Sequence, residues 1–210
     1  MITKQYEKWS SSFGDEYTER NMPDDATIQN RMSFWTGNIG ILPAIPNSIL
    51  EVGCNVGSNL IAIDNMYQIV GEKRPEIFYN EINLKARQII KEQNPHFKDV
   101  AGDASFLHMD NAQADLVITC GLLIHIRPDS LKDVMKEIYR VSRRYIICAE
   151  YFSAEPREVR YRGQDDMLWT RDFGSEWLDN FKLRCISYNF AWKRITKMDN
   201  LTTWIFEKVH

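Results

Sequence analysis

The sequence predicts an α/β fold: a mostly parallel sheet, covered by helices on both faces and closed by a C-terminal antiparallel hairpin. Three observations predict it. From Ser48 onward, short apolar runs alternate with stretches of helical period, the rhythm of βαβ units. The runs are continuously apolar rather than alternating, which suits a sheet buried on both sides. Near the C-terminus two strand-like runs, 181–190 and 201–208, are separated only by a short polar connection. That connection is too short for a helical crossover, so the two runs pair antiparallel.

The elements follow in order. The first 47 residues are aromatic-rich and read as helices over about 3–9, 15–21 and 24–38. Pro23 followed by Asp24 and Asp25 is good first-turn chemistry for the third of these. Ile28, Met32 and Trp35 then share a face, and Pro43 and Pro46 end the segment. Ser48–Val52 is a strand and 57–66 a helix; 77–79 is a strand and Leu84–Gln93 a helix. A short strand is expected at 98–101, another at Ala114–Cys120, a helix at 128–140 and a strand at 145–149. No linker divides the chain. One domain over 1–210 is expected, with a helical cap at 1–47, a core at 48–210 and an insert at about 151–175.

Composition supports a globular domain. The chain has 210 residues, 44% hydrophobic and 26% charged, which excludes disordered and low-complexity classes. A chain of this length removes roughly 70% of its unfolded surface from water, enough for a core without disulfides or metal. The net charge of −3 shows no basic excess, against a nucleic-acid partner. No apolar run approaches the ~20 residues of a membrane span, and the N-terminus has no apolar signal core, against a membrane partner. Cys54, Cys120, Cys148 and Cys185 are widely spaced, with no zinc-like pattern, so no metal is expected. They read as free thiols of a reducing compartment, the cytoplasm.

The chemistry gathers at strand ends. After the first strand comes Glu51-Val52-Gly53-Cys54-Asn55-Val56-Gly57. Gly53 and Gly57 frame a tight strand-to-helix turn where backbone can approach a ligand. A dinucleotide loop needs G-x-G-x-x-G, and Asn55 with the later Gly57 breaks that spacing. The run is instead a variant of the E/D-x-G-x-G-x-G signature of class I S-adenosylmethionine-dependent methyltransferases. Glu51 is placed to receive an ammonium group. Glu81 follows the second strand, where a carboxylate can bond both ribose hydroxyls. Asp103 and Ala104 follow the third strand, where the similarity to that methyltransferase signature implies contacts to the adenine edge; Asp103 can equally cap the turn at Ser105. Gly121 and His125 follow the fourth strand, and His125 is a candidate base or orienting group.

With these residues in hand, the chain resembles class I methyltransferases over essentially its whole length. It looks most like the pseudaminic-acid-biosynthesis-associated methylases. The resemblance rests on 13–21 (FGDEYTERN), the loop Glu51 to Gly57, Asn80-Glu81-Ile82-Asn83, and 121–126 with Pro128-Asp129. It rests further on Glu150-Tyr151-Phe152, Tyr161-Arg162-Gly163 and 171–174. It implies a Rossmann-like sheet, S-adenosylmethionine as cofactor and S-adenosylhomocysteine as product. Phe13, Gly14, Tyr17, Arg20 and Asn21 mix aromatic and polar groups, so the N-terminal helices are expected to form a lid with Tyr17 at the cofactor; an amphipathic helix packed on the sheet edge is the plain alternative.

The expected reaction is O-methylation of a small anionic acceptor such as a nonulosonic sugar acid. The alternative is methylation of a carboxylate on a peptide or natural-product C-terminus. His125, Tyr151, Arg162 and Arg171 are the acceptor-side candidates, because the arginine-rich stretch from Arg157 to Arg171 leaves the same sheet edge as His125. A solvated loop is the plain alternative for that stretch, since nearby acids balance its arginines. A nicotinamide-dependent oxidoreductase fits worse, given Asn55 in the loop and the terminal hairpin. A non-catalytic S-adenosylmethionine-binding module is weakened by the acids at three strand ends.

Overall fold

The computed structural model describes residues 4–209. Helices α1 (Lys4–Trp9), α2 (Ser12–Arg20) and α3 (Asp25–Ile39) precede the sheet. The expected first helix begins at Lys4; residue 3 lies outside the described residues. Asp24 starts α3, its carboxylate accepting the Thr27 N–H at 2.7 Å. Then come β1 (Ser48–Val52), α4 (Ser58–Val70), β2 (Glu76–Asn80), α5 (Leu84–Gln93), β3 (Lys98–Asp99), β4 (Gly102–Asp103), β5 (Phe106–Leu107) and β6 (Ala114–Cys120). A 3-10 turn over Leu123–His125 leads to α6 (Pro128–Val141) and β7 (Ser142–Glu150). The rest of the chain is β8 (Arg157–Glu158), β9 (Trp169–Thr170), α7 (Phe173–Asn180), β10 (Leu183–Ala191), α8 (Lys193–Thr196) and β11 (Leu201–Lys208).

Seven strands form the main sheet in the order β10-β11-β7-β6-β1-β2-β3. The inner strands run parallel, while β11 is antiparallel to both neighbours. The C-terminal hairpin is therefore present, but its second strand takes the inner place. Hydrophobic burial explains the order. Trp204, Ile205 and Phe206 of β11 are buried, whereas Tyr188 and Phe190 of β10 are exposed at the edge. The strand with a continuous apolar run, Trp204-Ile205-Phe206, goes inside, and the alternating strand lies at the edge.

Two apolar layers cover the sheet. On one face Ile49, Ile118, Ile147 and Ile205 pack with Trp35 of α3 and with Leu60, Ile63 and Tyr67 of α4. On the other, Leu50, Val117, Ile146 and Phe206 pack with Leu131, Val134 and Ile138 of α6 and with Trp177 of α7. Strand neighbours such as Ile49 and Leu50 point to opposite layers, as the pleat requires. No helix of the described residues is long and apolar enough to cross a membrane. The four cysteines are unpaired.

β7 begins earlier than the expected 145–149, α2 spans Ser12–Arg20 rather than 15–21, and the short β8, β9 and α8 add to the expected elements; four further departures shape the fold. The strand expected at 98–101 shortens to Lys98–Asp99, because the Asn80 amide grips the Val100 and Gly102 carbonyls at 2.9 Å each and turns the chain into the β4–β5 hairpin. Helix α4 runs on to Val70, where Gly71 (φ +71°) stops it. Helix α7 was not expected. The edge strand is displaced from 181–190 to Leu183–Ala191, with an irregularity between Cys185 and Ser187.

Helix α7 docks through Gly174, a position with no room for a side chain. A Cβ there would lie 2.3 Å from Trp204 Nε1. Gly174→Ala is expected to destabilise the domain by about 1–3 kcal/mol through overpacking. Urea unfolding followed by circular dichroism checks this, and an unchanged midpoint would contradict the docking.

A candidate cofactor and acceptor cleft

A cleft of about 1670 Å³ opens along the carboxyl ends of β1, β2, β6 and β7. It exceeds the ~300–1,000 Å³ of one small-molecule pocket, so two ligands fit. Glu51, Gly53, Asn55, Glu81, Asp103, Ala104, Gly121, His125, Tyr151, Tyr17 and Arg162 all line it. Gly57 and Arg171 do not.

The loop after β1 is built from left-handed residues: Gly53 at φ +72°, Asn55 at +49° and Gly57 at +73°. At Gly53 a Cβ would lie 2.6 Å from the Leu122 side chain, so the loop packs against the turn after β6. Gly57 shapes the entry to α4 from behind the cleft wall. Asn is among the few side chains that tolerate this conformation. At Asn55 it aims the backbone N–H at Glu81 Oε2, 2.7 Å away. The Asn83 N–H donates to Glu81 Oε1 at 2.8 Å. Each carboxylate oxygen keeps accepting capacity, so a vicinal pair of hydroxyls can be received. Burial pushes the Glu81 carboxyl up, and the backbone donors oppose it.

Glu51 is buried at the end of β1. Its Oε1 accepts from Asn59 Nδ2 at 2.6 Å, and its Oε2 has no partner among the described residues. Asn59 Oδ1 in turn accepts from Arg31 Nη1 at 2.5 Å and Trp35 Nε1 at 3.0 Å. Burial pushes the Glu51 carboxyl up to about 8; Asn59 and Arg31 pull it down, and Glu81 adds to the rise. Arg31 lines the cleft, and its Nε is likewise buried without a partner. An unpaired carboxylate oxygen and an unpaired guanidinium nitrogen in one cleft fit a zwitterionic amino-acid tail. The residues present therefore fit S-adenosylmethionine. Glu51 and Arg31 could hold the tail and Glu81 the ribose.

Asp103 lies farther along the wall, where its Oδ1 accepts the Ser105 N–H at 2.7 Å. It caps its own turn while facing the cleft beside Ala104. Gly121 (φ +70°) lines the opposite side. Tyr17 comes from α2, and burial raises its phenol to about 12.

His125 sits on the 3-10 turn. Its Nδ1 lies 2.7 Å from the Met167 carbonyl, so Nδ1 carries the hydrogen and Nε2 is left as an acceptor. Trp9 and Tyr161 shut the ring in, with centroids 4.7 and 5.0 Å away. Desolvation pushes the imidazole down to about 4, against the Met167 bond that raises it, so it is neutral at pH 7. The turn hangs on Glu150, whose oxygens accept the Leu122 and Ile124 N–H groups at 3.2 and 3.4 Å. Glu150 is fully buried, which pushes its carboxyl up to about 7.

The remaining acceptor-side candidates divide. Tyr151 donates to Asp199 Oδ2 at 3.0 Å, and both line the cleft. Arg162, at φ +50°, is exposed at the rim beside Tyr161. Arg171 is not brought to the cleft. It is buried next to α7, paired with Glu176 at 3.4 Å and lying over the Phe173 ring. Arg157 lies exposed on β8 and does not line the cleft either.

Sequence reasoning missed Arg31, Asn59, Asn83 and Trp9. The available signal for Arg31 was a cation set within the apolar stripe Ile28–Met32–Trp35. Residues Gln5, Trp9, Gly14, Tyr17 and Thr18 line the same cleft, so α1 and α2 lie over it.

Residues 49–144 match a family model described as a methyltransferase domain. No curated protein matches the chain. Among solved structures, it is similar to a Leishmania major SAM-dependent methyltransferase, at 15% identity and TM-score 0.71, over 97% of this chain and 86% of that one. It is similar also to Burkholderia thailandensis 1,6-didemethyltoxoflavin-N1-methyltransferase, solved with its substrate and S-adenosylhomocysteine (14%, 0.69, 98% and 87%). A third is the magnesium protoporphyrin IX methyltransferase of Synechocystis PCC 6803 with bound S-adenosylmethionine (11%, 0.66, 99% and 98%). At these identities the solved structures share the fold, and the family match runs from β1 into β7. Over residues 49–144 the chain matches a methyltransferase domain, carried on a sheet with the fold of these S-adenosylmethionine-dependent enzymes.

Proposed function

We propose that the chain methylates a hydroxyl oxygen of a small anionic acceptor. A nonulosonic sugar acid of the pseudaminic type is the class that the sequence resemblance suggests. The observation that carries the reading is His125 Nε2, an acceptor with no partner among the described residues, on the cleft that also holds Glu51 and Glu81.

S-adenosylmethionine, when bound, supplies an electrophilic methyl group. The protein's task is then placement and exclusion of water. Glu81 bonds the ribose, Asp103 and the Ala104 N–H meet the adenine, and Glu51 with Arg31 holds the amino-acid tail. His125 Nε2 receives the hydrogen of the incoming hydroxyl, orients its oxygen and takes the proton as that oxygen is methylated. Trp9 and Tyr161 cover the imidazole. Arg162 at the rim meets the acceptor's carboxylate.

This geometry weighs against methylation of a carboxylate itself. A neutral imidazole locked with Nε2 as acceptor sets its lone pair against those of a carboxylate oxygen. A hydroxyl brings the missing hydrogen.

The first expected outcome concerns Glu81. Glu81→Ala removes two charge-assisted bonds, each on the order of 1.5–3 kcal/mol at most. It should weaken S-adenosylhomocysteine binding at least about tenfold by calorimetry. Unchanged affinity would remove Glu81 from the ribose.

The second concerns pH. A carboxyl that titrates near 8 must ionise before it can receive the cofactor's ammonium. Affinity for S-adenosylhomocysteine should therefore rise from pH 6 to about 8 by up to roughly tenfold per unit, then level. Glu51→Gln should flatten that rise. A pH-independent affinity of the wild type would contradict the role.

The third separates the arginines. With a nonulosonic acid and its carboxamide as acceptors, Arg162→Ala should raise KM for the acid about tenfold, the equivalent of ~1.4 kcal/mol. It should leave KM for the amide unchanged. Arg171→Ala should lower the melting temperature and leave both KM values unmoved. Equal use of acid and amide by the wild type, with Arg162→Ala unaffected, would remove the anion anchor.

A further inference from the structure

We infer that Asn83 is a positioning residue that ties the ribose-binding carboxylate to helices α1 and α2, so that cofactor binding sets Trp9 against His125. The inference rests on the reading of Glu81 as the ribose ligand.

Asn83 is 3% exposed and every polar group it has is engaged. Its backbone N–H donates to Glu81 Oε1 at 2.8 Å. Its side-chain oxygen caps α5, accepting the Ala86 N–H at 2.9 Å. Its side-chain amide donates in the other direction, to Asp15 Oδ1 at 2.8 Å and to the Trp9 carbonyl at 3.2 Å. A helix cap needs only the oxygen, and Ser, Thr or Asp supplies that equally well. The amide nitrogen is what the cap does not explain.

The neighbourhood is built to let that nitrogen reach. Gly14 lies in the gap, and a Cβ there would fall 1.9 Å from the Trp9 carbonyl oxygen and 2.8 Å from Asn83 Nδ2. Thr18 adds a parallel tie, donating to Asn55 Oδ1 at 3.0 Å. Asn55 is the other residue whose backbone holds Glu81. Both donors to the ribose carboxylate are thus tethered to α2.

Trp9 carries the connection onward. Its ring meets Phe13 and Tyr17 edge-on and lies 4.7 Å from the His125 ring. Its indole Nε1 is buried without a partner among the described residues. The far end of α1 is tied to the acceptor-side insert, where Gln5 donates to the Asp166 carbonyl at 2.9 Å. Helix α1 therefore spans from the ribose side to the acceptor side. Ordering Glu81 with two ribose hydroxyls orders Asn83, and the tie passes that order to Trp9. By reciprocity, docking of α1–α2 tightens the cofactor by the same factor.

The test is amide hydrogen exchange across residues 4–20 of the full chain, with and without saturating S-adenosylhomocysteine. Calorimetry confirms saturation for each variant. In the wild type, ligand should slow exchange there roughly tenfold, within the usual range of coupling between sites. Asn83→Asp keeps the cap but sets two carboxylates face to face at Asp15. Binding should persist and the ligand-induced slowing should fall below about twofold. Adding Asp15→Asn returns the tie to α2 with donor and acceptor exchanged, but leaves the Trp9 carbonyl without its donor, so slowing should return across 12–20 and not across 4–9, which a merely structural loss would not allow. Full slowing in Asn83→Asp, or no recovery across 12–20 in the double variant, would overturn the positioning role. So would a single variant that no longer binds, because that loss belongs to the ribose site. A wild type that binds no S-adenosylhomocysteine would overturn the ribose reading and this inference together.

Discussion

Two backbone N–H groups from different turns converge on the Glu81 carboxylate, and the cleft takes its shape from that convergence. One comes from the loop between β1 and α4, the other from the start of α5. A buried carboxylate needs such donors, since leaving it unpaired costs several kcal/mol. The left-handed conformation at Asn55 is what turns its N–H toward Glu81. A glycine would adopt that conformation more freely. Asparagine adds a side chain that accepts from Thr18, so the departure from the glycine-rich signature joins the loop to α2.

Desolvation sets the protonation of the cleft. It drives Glu51 up to about 8 and His125 down to about 4, and so favours the uncharged form of both. Arg31 is the standing cation beside Glu51, and its unpaired Nε leaves it able to take a carboxylate. The result is a weakly charged wall in which any ion brought by a ligand meets little screening, and hydrogen bonds there are stronger than in water. Glu150 obeys the same physics to a different end. Its oxygens face two backbone N–H groups of the turn after β6 rather than the cleft, so it fixes where His125 emerges.

The fold was legible wherever burial imposed a period. Strands β1, β2, β6 and β7 are apolar runs, and α6 shows its stripe. Helix α7 was not legible, because Trp177 and Phe173 are its main buried apolar anchors in a short polar segment. Nor was the inner place of β11, which depends on the short continuous run Trp204-Ile205-Phe206 being covered on both faces. In the cleft, the acids at strand ends were readable because a strand end fixes where a side chain stands. Arg31 was not, since a helix surface faces the cleft only after packing. The arginine-rich stretch could not be divided from its letters. Arg162 and Arg171 differ by the Phe173 ring and the Glu176 carboxylate, which draw Arg171 to the far side.

That division has a physical consequence for the acceptor. In the proposed reading the cofactor side of the cleft is made by strand ends, whose positions the whole sheet enforces. The acceptor side is made by segments outside the sheet: α1 and α2 supply Trp9 and Tyr17, and the stretch after β7 supplies Tyr151, Tyr161 and Arg162. Between the two sides stands His125, held from below by Glu150 and from one flank by the Met167 carbonyl of the insert. The insert therefore determines which imidazole nitrogen bears the hydrogen and, with His125 read as the acceptor's partner, whether that acceptor would have to bring a hydrogen of its own. An insert that removed the Met167 carbonyl would free the other tautomer, whose Nε2–H suits a carboxylate. In the proposed reading, selection between a hydroxyl and a carboxylate would follow from one backbone carbonyl on a loop, on a sheet that would bind the same cofactor either way.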